Sequence, residues 1–210
     1  IIPTSRPLSI GFYVNWDDSS YESLKRNLDH LDWIIPAWVT LQDITPTNPN
    51  PIVSDLQNGV EALNLIRDTR PQVTILPMVQ NVSNEKFDST LLGRLVSDES
   101  HRQQLIKALL TFVQGNKFGG VCIDFEEPPI SAQSNLLTFM QELHTTFSAN
   151  KLLVTQAVPF ADDGWNYKAY NAASDYSILM AYDQHYAGKE PGPVAAQLWF
   201  EQTLVERMKG

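Results

Sequence analysis

The sequence predicts an α/β fold of the (β/α)8 TIM-barrel type, with about six βα units visible in this chain as a truncated or incomplete barrel. Apolar segments with strand character alternate with amphipathic helical segments along the 210 residues. The strand segments are almost continuously apolar, which is typical of a parallel sheet buried on both faces. Polar residues follow nearly every strand, at the end where barrel enzymes assemble their sites.

The first half of the chain supplies three strand-then-helix units. Strand character is found in "LSIGFYVNW" (8–16), in "DWIIPAWVTL" (32–41), which Pro36 interrupts, and in "VTILPMVQN" (73–81). The first strand is followed by the helical pattern "YESLKRNLDHL". The second is followed by a loop rich in Pro and Asn and then by a helix with apolar residues between 56 and 66. The third leads to a helix at about 99–114, with Ser97 or Asp98 as the candidate N-cap.

The second half repeats the alternation three more times. The fourth strand is "GGVCIDFEE" (119–127), and helical spacing follows at 131–147. "KLLVTQAVPF" (151–160) is the fifth strand, and a short helix near 167–172 leads to the sixth, "SDYSILMAYDQH". A final helix is expected at 193–208.

The first strand decides between two parallel architectures, the doubly wound sheet and the barrel. The segment "GFYVNWDDSS" lacks the glycines that a dinucleotide-binding turn requires. Polar residues at the strand ends favour the barrel; they are Asn15, Gln80 with Asn81, Asp124 with Glu126, Gln156, and Tyr182 with Asp183. A full barrel has about eight units, so we expect roughly two to be missing and two strand edges to need a cover.

The composition indicates one soluble domain with a substantial core, spanning residues 1–210. The hydrophobic content is 43% and the net charge is −9. Nucleic acid and anionic membranes both require clustered Lys and Arg, so this acidic balance argues against both as partners. The single cysteine, Cys122, cannot form an internal disulfide. No apolar run is long enough for direct membrane insertion, and a start at Ile1 without a Met or a targeting signal suggests a piece of a longer protein.

The fourth strand ends in acids that alternate between its two faces. Cys122, Asp124 and Glu126 share one face, which points into the barrel and toward its mouth. Two carboxylates this close titrate as a pair, and one of them can stay protonated near neutral pH to serve as a general acid. The alternative is that these are solvated loop acids before Pro128 and Pro129.

Three motifs in the right order resemble family-18 glycoside hydrolases, the chitinase-like enzymes. "GGVCIDFEE" resembles the strand-four signature D-G-x-D-x-D-x-E, with Gly120, Asp124 and Glu126 in place. "LMAYD" (179–183) resembles the strand-six motif M-x-Y-D, and "GFYVNW" (11–16) resembles the first strand. The similarity extends from the first strand to the last helix. Within the family, the chain looks most like chitinase-like domains fused to polysaccharide deacetylase and glycosyltransferase modules in bacterial envelope proteins.

The resemblance implies a retaining hydrolase of β-linked N-acetylglucosamine polymers, in which the substrate's acetamido oxygen acts as the nucleophile. Glu126 would be the general acid and then the base that activates water. Asp124 would bind the acetamido N–H and stabilise the cationic intermediate, and Tyr182 would position the acetamido oxygen. Met180 and Asp183 would line the sugar site beside the cleaved bond.

Other residues near strand ends are candidate sugar contacts. Tyr13 matches an aromatic position of the family's first strand, and Trp16 and Trp38 could stack against sugar rings. Gln80 and Gln156 carry amides that could bind hydroxyl groups.

The resemblance also sets the expected partners and location. We expect a carbohydrate polymer as substrate, other domains of the same parent chain as partners, and an extracytoplasmic location in the cell envelope or outside the cell. We expect no cofactor and no metal, because His185 beside Asp183 does not supply the three protein ligands of a typical catalytic metal.

The chain departs from the family signature at Gly119, where the outer Asp is replaced, and at Cys122, where the inner Asp is replaced. In the family, that inner Asp is the partner of the central Asp and helps it to switch between conformations. A thiol does not share a proton with a carboxylate in that way. We therefore expect the ionised form of Asp124 to be favoured, with a shifted pH profile or a lower rate. A non-catalytic glycan-binding module and an accessory domain of a polysaccharide synthase remain the alternatives.

Overall fold

The computed structural model describes residues 6–186, 188 and 190–208. Its strands are β1 Ile10–Tyr13, β2 Trp33–Pro36, β3 Val39–Leu41, β4 Ile52–Ser54, β5 Thr74–Ile75, β6 Met78–Gln80, β7 Val82–Ser83, β8 Lys86–Phe87, β9 Gly120–Asp124, β10 Leu153–Pro159 and β11 Tyr176–Met180. Its α-helices are α1 Asp18–Asn27, α2 Val60–Thr69, α3 Ser89–Ser97, α4 Glu99–Gly115, α5 Gln133–Ala149, α6 Tyr167–Asn171 and α7 Gln197–Arg207. Short 3-10 turns lie at Leu28–His30 and Ile130–Ala132.

Six parallel strand positions follow one another in chain order, as the alternation predicted. β1 pairs with β2, which pairs with β5. β3 pairs with β6, and β6, β9, β10 and β11 continue the sheet. The second and third positions are each split by a proline, Pro36 and Pro77, because proline has no N–H to donate to the ladder. In the described residues β1 and β11 lie at the two edges and do not pair with each other, so the barrel is open.

Several elements lie outside the sequence prediction. β4 pairs antiparallel with β3, and β7 and β8 form a hairpin whose turn residues Asn84 and Glu85 have positive φ. Helix α3 precedes α4 and has Asp88 as its N-cap, whose carboxylate accepts a hydrogen bond from the N–H of Leu91. Asp98 caps α4 in the same way, so Asp98 is the N-cap of the two candidates. No described helix combines the length and apolar character that crossing a membrane would need.

Side chains from alternate strand positions fill two separate layers. One apolar cluster lies inside the curved sheet; its buried members are Trp33, Ile35, Ala37, Leu76, Met78 and Cys122. A larger cluster joins the outer face of the sheet to the helices and includes Ile123 and Phe125 from β9 and the residue after it. The alternation predicted for the fourth strand is therefore confirmed for Cys122, Ile123 and Phe125.

Two glycines allow β9 to approach its neighbours closely. Gly120 has φ +152°, and a Cβ there would overlap the carbonyl oxygen of Leu153 on β10. A Cβ at Gly119 would overlap the side chain of Thr74 on β5. Any side chain at position 119 would therefore require Thr74 to move, which gives a physical reason for glycine there.

Candidate active site

The carboxyl ends of β9 and β11 open into a cleft of about 550 Å³. Five residues predicted for the site line it: Asp124, Glu126, Met180, Tyr182 and Asp183. The two strands are separated by β10 in the sheet, and their side chains converge because all parallel strands end at the same rim. The cleft therefore brings together the groups from the fourth and sixth predicted strands.

Asp124 and Glu126 have different surroundings in this cleft. Asp124 is only 8% exposed, and burial raises its pKa, while a hydrogen bond of 2.7 Å from the side-chain amide of Gln80 opposes that rise. Burial and the charges of Asp124 and Glu127 raise the pKa of Glu126 to about 7. A carboxyl with this pKa is largely protonated in mildly acidic solution, as a general acid must be.

Asn81 fixes the backbone that carries Glu126. Its side chain is fully buried, donates a hydrogen bond to the carbonyl oxygen of Glu126 at 3.0 Å and accepts one from the N–H of Glu126 at 2.9 Å. Asn81 follows β6 directly, so the clamp extends from the third predicted strand to the fourth. The sequence places Asn81 at the end of a strand but does not predict this clamp.

The segment after β11 supplies the other side of the cleft. Tyr182 is half exposed, and burial together with the nearby charges of Asp124, Asp183 and Glu126 raises its pKa. Asp183 has φ +59°, a left-handed conformation that is uncommon for residues other than glycine and is often found at functional sites. The following loop is held by Gln184, whose side-chain oxygen accepts a hydrogen bond from the N–H of Ala196 at 2.8 Å.

Several cleft residues were missed by sequence reasoning. Phe87 comes from the β7–β8 hairpin, Phe160 and Asp162 follow β10, and Gln184 follows Asp183. Trp199 on α7 reaches the cleft and packs edge-on against Phe160, with their ring centroids 4.9 Å apart. Phe87, Phe160 and Asp162 carry no motif, and only their position after a strand or in a hairpin could have suggested them. Trp199 lies in the final predicted helix, where its resemblance to the family could have suggested it.

Cys122 lies deeper in the barrel than Asp124, as the alternation predicted. It is fully buried, and burial raises the pKa of its thiol to about 12. The thiol is therefore neutral at ordinary pH.

Three predicted sugar contacts are corrected because their side chains lie on the helix side of the sheet. Tyr13 and Trp38 are buried there and pack edge-on against each other, and the indole N–H of Trp38 donates to Asn15. Gln156 is 3% exposed and donates to the hydroxyl groups of Ser174 and Ser177. We therefore assign all three a structural role.

The remaining predicted contacts differ in their surroundings. Gln80 is at the site but donates to Asp124, so its amide is engaged by a carboxylate. Trp16 follows β1 and is 72% exposed; it is not among the residues that line the cleft.

Among the described residues, no three His, Cys, Asp or Glu side chains are grouped so that they could hold a metal ion.

Comparison with known proteins gives the same family as the motifs. The model of the glycosyl hydrolases family 18 matches residues 9–208. YdhD of Bacillus subtilis, which carries the name of a sporulation-specific glycosylase, is 29% identical over 163 residues, covering 74% of this chain and 38% of YdhD. The chain thus spans about two fifths of the length of that relative.

Two solved chitinases show the fold. The class V chitinase of Pseudomonas fluorescens Pf-5 superposes with a TM-score of 0.84 at 19% identity, covering 96% of this chain and 65% of that one. The family-18 chitinase of Cycas revoluta in complex with (GlcNAc)3 gives 0.77 at 22% identity, with 95% and 65% covered. Both support the predicted TIM-barrel class. Because the family model covers nearly the whole sequence, this chain belongs to the glycosyl hydrolases of family 18.

Proposed function

We propose that this chain is the catalytic domain of a retaining, substrate-assisted glycoside hydrolase that acts on β-linked N-acetylglucosamine polymers or a related envelope polysaccharide. The observation that carries the proposal is the cleft that Glu126 shares with Asp124 and Tyr182, in which burial and neighbouring charges raise the pKa of Glu126 to about 7. A carboxyl that is neutral beside an open cleft can protonate a leaving oxygen.

The proposed reaction uses the acetamido group of the substrate as its nucleophile. The acetamido oxygen attacks the anomeric carbon as Glu126 gives its proton to the leaving oxygen. The resulting oxazolinium ion is positively charged, and the carboxylate of Asp124 stabilises it. Glu126, now ionised, takes a proton from the water that attacks the anomeric carbon from the face opposite the acetamido oxygen, so the configuration is retained.

The segment after β11 orients the reacting sugar. The hydroxyl of Tyr182 donates to the acetamido oxygen and keeps it close to the anomeric carbon, which lowers the entropic part of the barrier. Met180 and Asp183 contact the same sugar. Phe87 and Trp199 offer aromatic faces at the rim of the cleft, against which further sugar rings stack.

Cys122 favours a second candidate, a non-catalytic glycan-binding module or an accessory domain of a polysaccharide synthase. The buried neutral thiol does not supply the proton exchange of an inner carboxylate. The retained Glu126 favours the enzyme, because binding alone requires no proton donor. In either case we propose an extracytoplasmic location and other domains of a parent chain as partners.

The experiment compares cleavage and binding of defined N-acetylglucosamine oligomers by the wild-type protein, Glu126→Gln and Glu127→Gln. Glu127 is exposed and serves as the matched control. We expect Glu126→Gln to lower the cleavage rate by at least about 100-fold while binding persists, and Glu127→Gln to retain most of the activity. Binding without cleavage by all three proteins would favour the glycan-binding module.

A further inference from the structure

Gln80 is placed to control one of the two carboxylates rather than to bind a sugar. It ends β6 and lies directly across from Asp124 in the parallel β6–β9 pair. Its side-chain Nε2 donates to Oδ2 of Asp124 at 2.7 Å. A hydrogen bond from an amide to a carboxylate is charge-assisted and stronger than one between neutral groups.

The contact between Gln80 and Asp124 matters because the residue beneath Asp124 is Cys122. Two residues earlier on both strands, and on the same face, Met78 lies across from Cys122. The Cys122 thiol is fully buried, with its pKa raised to about 12 by burial, and it interacts with the side chain of Thr155. The thiol therefore stays protonated at ordinary pH and does not exchange a proton with Asp124.

An amide and a carboxyl act differently as partners of Asp124. A carboxyl partner both donates and accepts, depending on where the shared proton lies, so it stabilises two protonation states. The NH₂ group of Gln80 only donates. It therefore favours the ionised form of Asp124 and opposes the effect of burial.

We propose that Gln80 is a positioning residue that replaces the signature's inner carboxylate: it holds Asp124 ionised in a fixed orientation, and the charge of Asp124 then adds to the effect of burial that keeps Glu126 protonated. The importance of Gln80 for catalysis rests on the proposed function, whereas its effect on the protonation of the two carboxyl groups does not. The proposal also changes the predicted role of Gln80, from a contact with the substrate to a contact with the residue that stabilises the cation.

No positively charged group of the described residues lines the cleft beside Asp124, so its ionised form depends on the hydrogen bond from Gln80. The titratable groups that interact with it are Cys122 and Glu126 from its own segment of the chain and Tyr182 after β11. Asp162 and Asp183 line the same cleft, and none of the described lining residues is Lys, Arg or His. These neighbours are acidic or neutral, so they do not offset the cost of burying the Asp124 carboxylate.

The test replaces Gln80 by Met, which keeps the length of the side chain and removes the donor. The carboxyl groups of Asp124 and Glu126 are titrated by 13C NMR in the wild type and in the variant. We expect the pKa of Asp124 to rise by about one to two pH units. We expect the pKa of Glu126 to fall, because Asp124 is then neutral over part of the range and no longer repels the second charge.

Gln156→Met is the matched control. Gln156 is likewise a strand glutamine whose amide donates hydrogen bonds; it is buried, and its two partners lie on the helix side. The same substitution there should lower the stability without moving either carboxyl pKa. Unchanged pKa values in Gln80→Met, or equal shifts in both variants, would overturn the proposal.

A second variant, Gln80→Glu, covers the case in which the methionine variant does not fold. The carboxyl introduced by this substitution would share a proton with Asp124, so the two groups should titrate in two well-separated coupled steps; independent titration near the ordinary values would contradict the proposal. In an active protein, Gln80→Met should also move the acidic limb of the kcat/KM profile to higher pH. If the wild type does not cleave the oligomers, the proposed hydrolase fails while the titrations still decide the role of Gln80.

Discussion

The side-chain amide of Asn81 forms two hydrogen bonds with the backbone of Glu126, one to the carbonyl oxygen at 3.0 Å and one from the N–H at 2.9 Å. The strand conformation ends at Asp124, and the turn at Glu127 has φ +53°. Asn81 therefore supplies the hydrogen bonds that a neighbouring strand would otherwise provide. This clamp fixes the backbone of Glu126, the proposed general acid, without using its carboxyl group.

We predict that Asn81→Ala destabilises the fold and lowers activity together. The substitution leaves two backbone groups of Glu126 without partners and opens a small cavity, so the free energy of unfolding should fall by about 2–4 kcal/mol. Chemical denaturation measures this change. Asn135→Ala is the control, because Asn135 is only partly buried and its side chain donates a long hydrogen bond of 3.3 Å to Ser97; its effect should stay below about 0.5 kcal/mol. Equal effects in the two variants would show that the clamp does not stabilise this region.

We predict that Glu126→Gln stabilises the protein at high pH. The folded-state pKa of Glu126, about 7, lies above the ordinary value of 4.5, so ionisation disfavours the folded state. The stability associated with the neutral carboxyl is fully present below about pH 4.5 and is lost as the pH rises through 7. At pH 8 the variant should exceed the wild type by about 1–2 kcal/mol, which allows for solvent screening of a partly exposed group. The two should be nearly equal at pH 4, and a difference that is the same at both pH values would contradict the assignment.

We predict that Cys122 is unreactive in the folded protein. The thiol is fully buried, so a reagent cannot reach the sulfur atom, and its pKa is raised to about 12, so little of the reactive thiolate is present. A thiol reagent at pH 8 should label less than about a tenth of the protein in an hour under native conditions and all of it in guanidinium chloride. Rapid labelling of the native protein would place the thiol in contact with solvent and would undermine its role beneath Asp124.

We predict that Gly120→Ala is strongly destabilising. At φ +152° the added methyl group would overlap the backbone of Leu153, which cannot move without disturbing the β9–β10 pairing. The free energy of unfolding should fall by about 3 kcal/mol or more. Gly115→Ala is the control, because a Cβ at the end of α4 meets no other atom within 4 Å. That variant should be neutral or more stable by up to about 1 kcal/mol.

The sequence predicts the order of the strands and the main acidic residues because both depend on local patterns. Alternation of apolar segments indicates parallel units, and alternation within "CIDFE" places Cys122, Asp124 and Glu126 on one face. Residues on neighbouring strands then meet because all strands end at the same rim. These inferences require only the period of a strand and the geometry of a parallel sheet.

The sequence does not predict which face of the other strands points inward. Tyr13 and Trp38 lie in the helix layer, whereas Phe12, on the opposite face of β1 from Tyr13, is 52% exposed at the open edge. Both faces of a parallel strand are apolar, so the sequence pattern does not show which face points into the barrel and which faces the helices. The sequence also does not show which face Gln156 occupies, because its partners Ser174 and Ser177 follow β10 in the chain and are recognised only in the folded structure. The β7–β8 hairpin and Phe87 depend on tertiary contacts that no local pattern reports.

The anomeric form of the first product tests most directly whether Glu126 works with the acetamido group of the substrate. Hydrolysis of an N-acetylglucosamine oligomer is followed by 1H NMR from the first minutes, beside the same oligomer without its acetyl groups. The account predicts β-anomer as the early product, no cleavage of the deacetylated oligomer, and loss of the signal in Glu126→Gln. Early α-anomer, or equal cleavage of both oligomers, would contradict it.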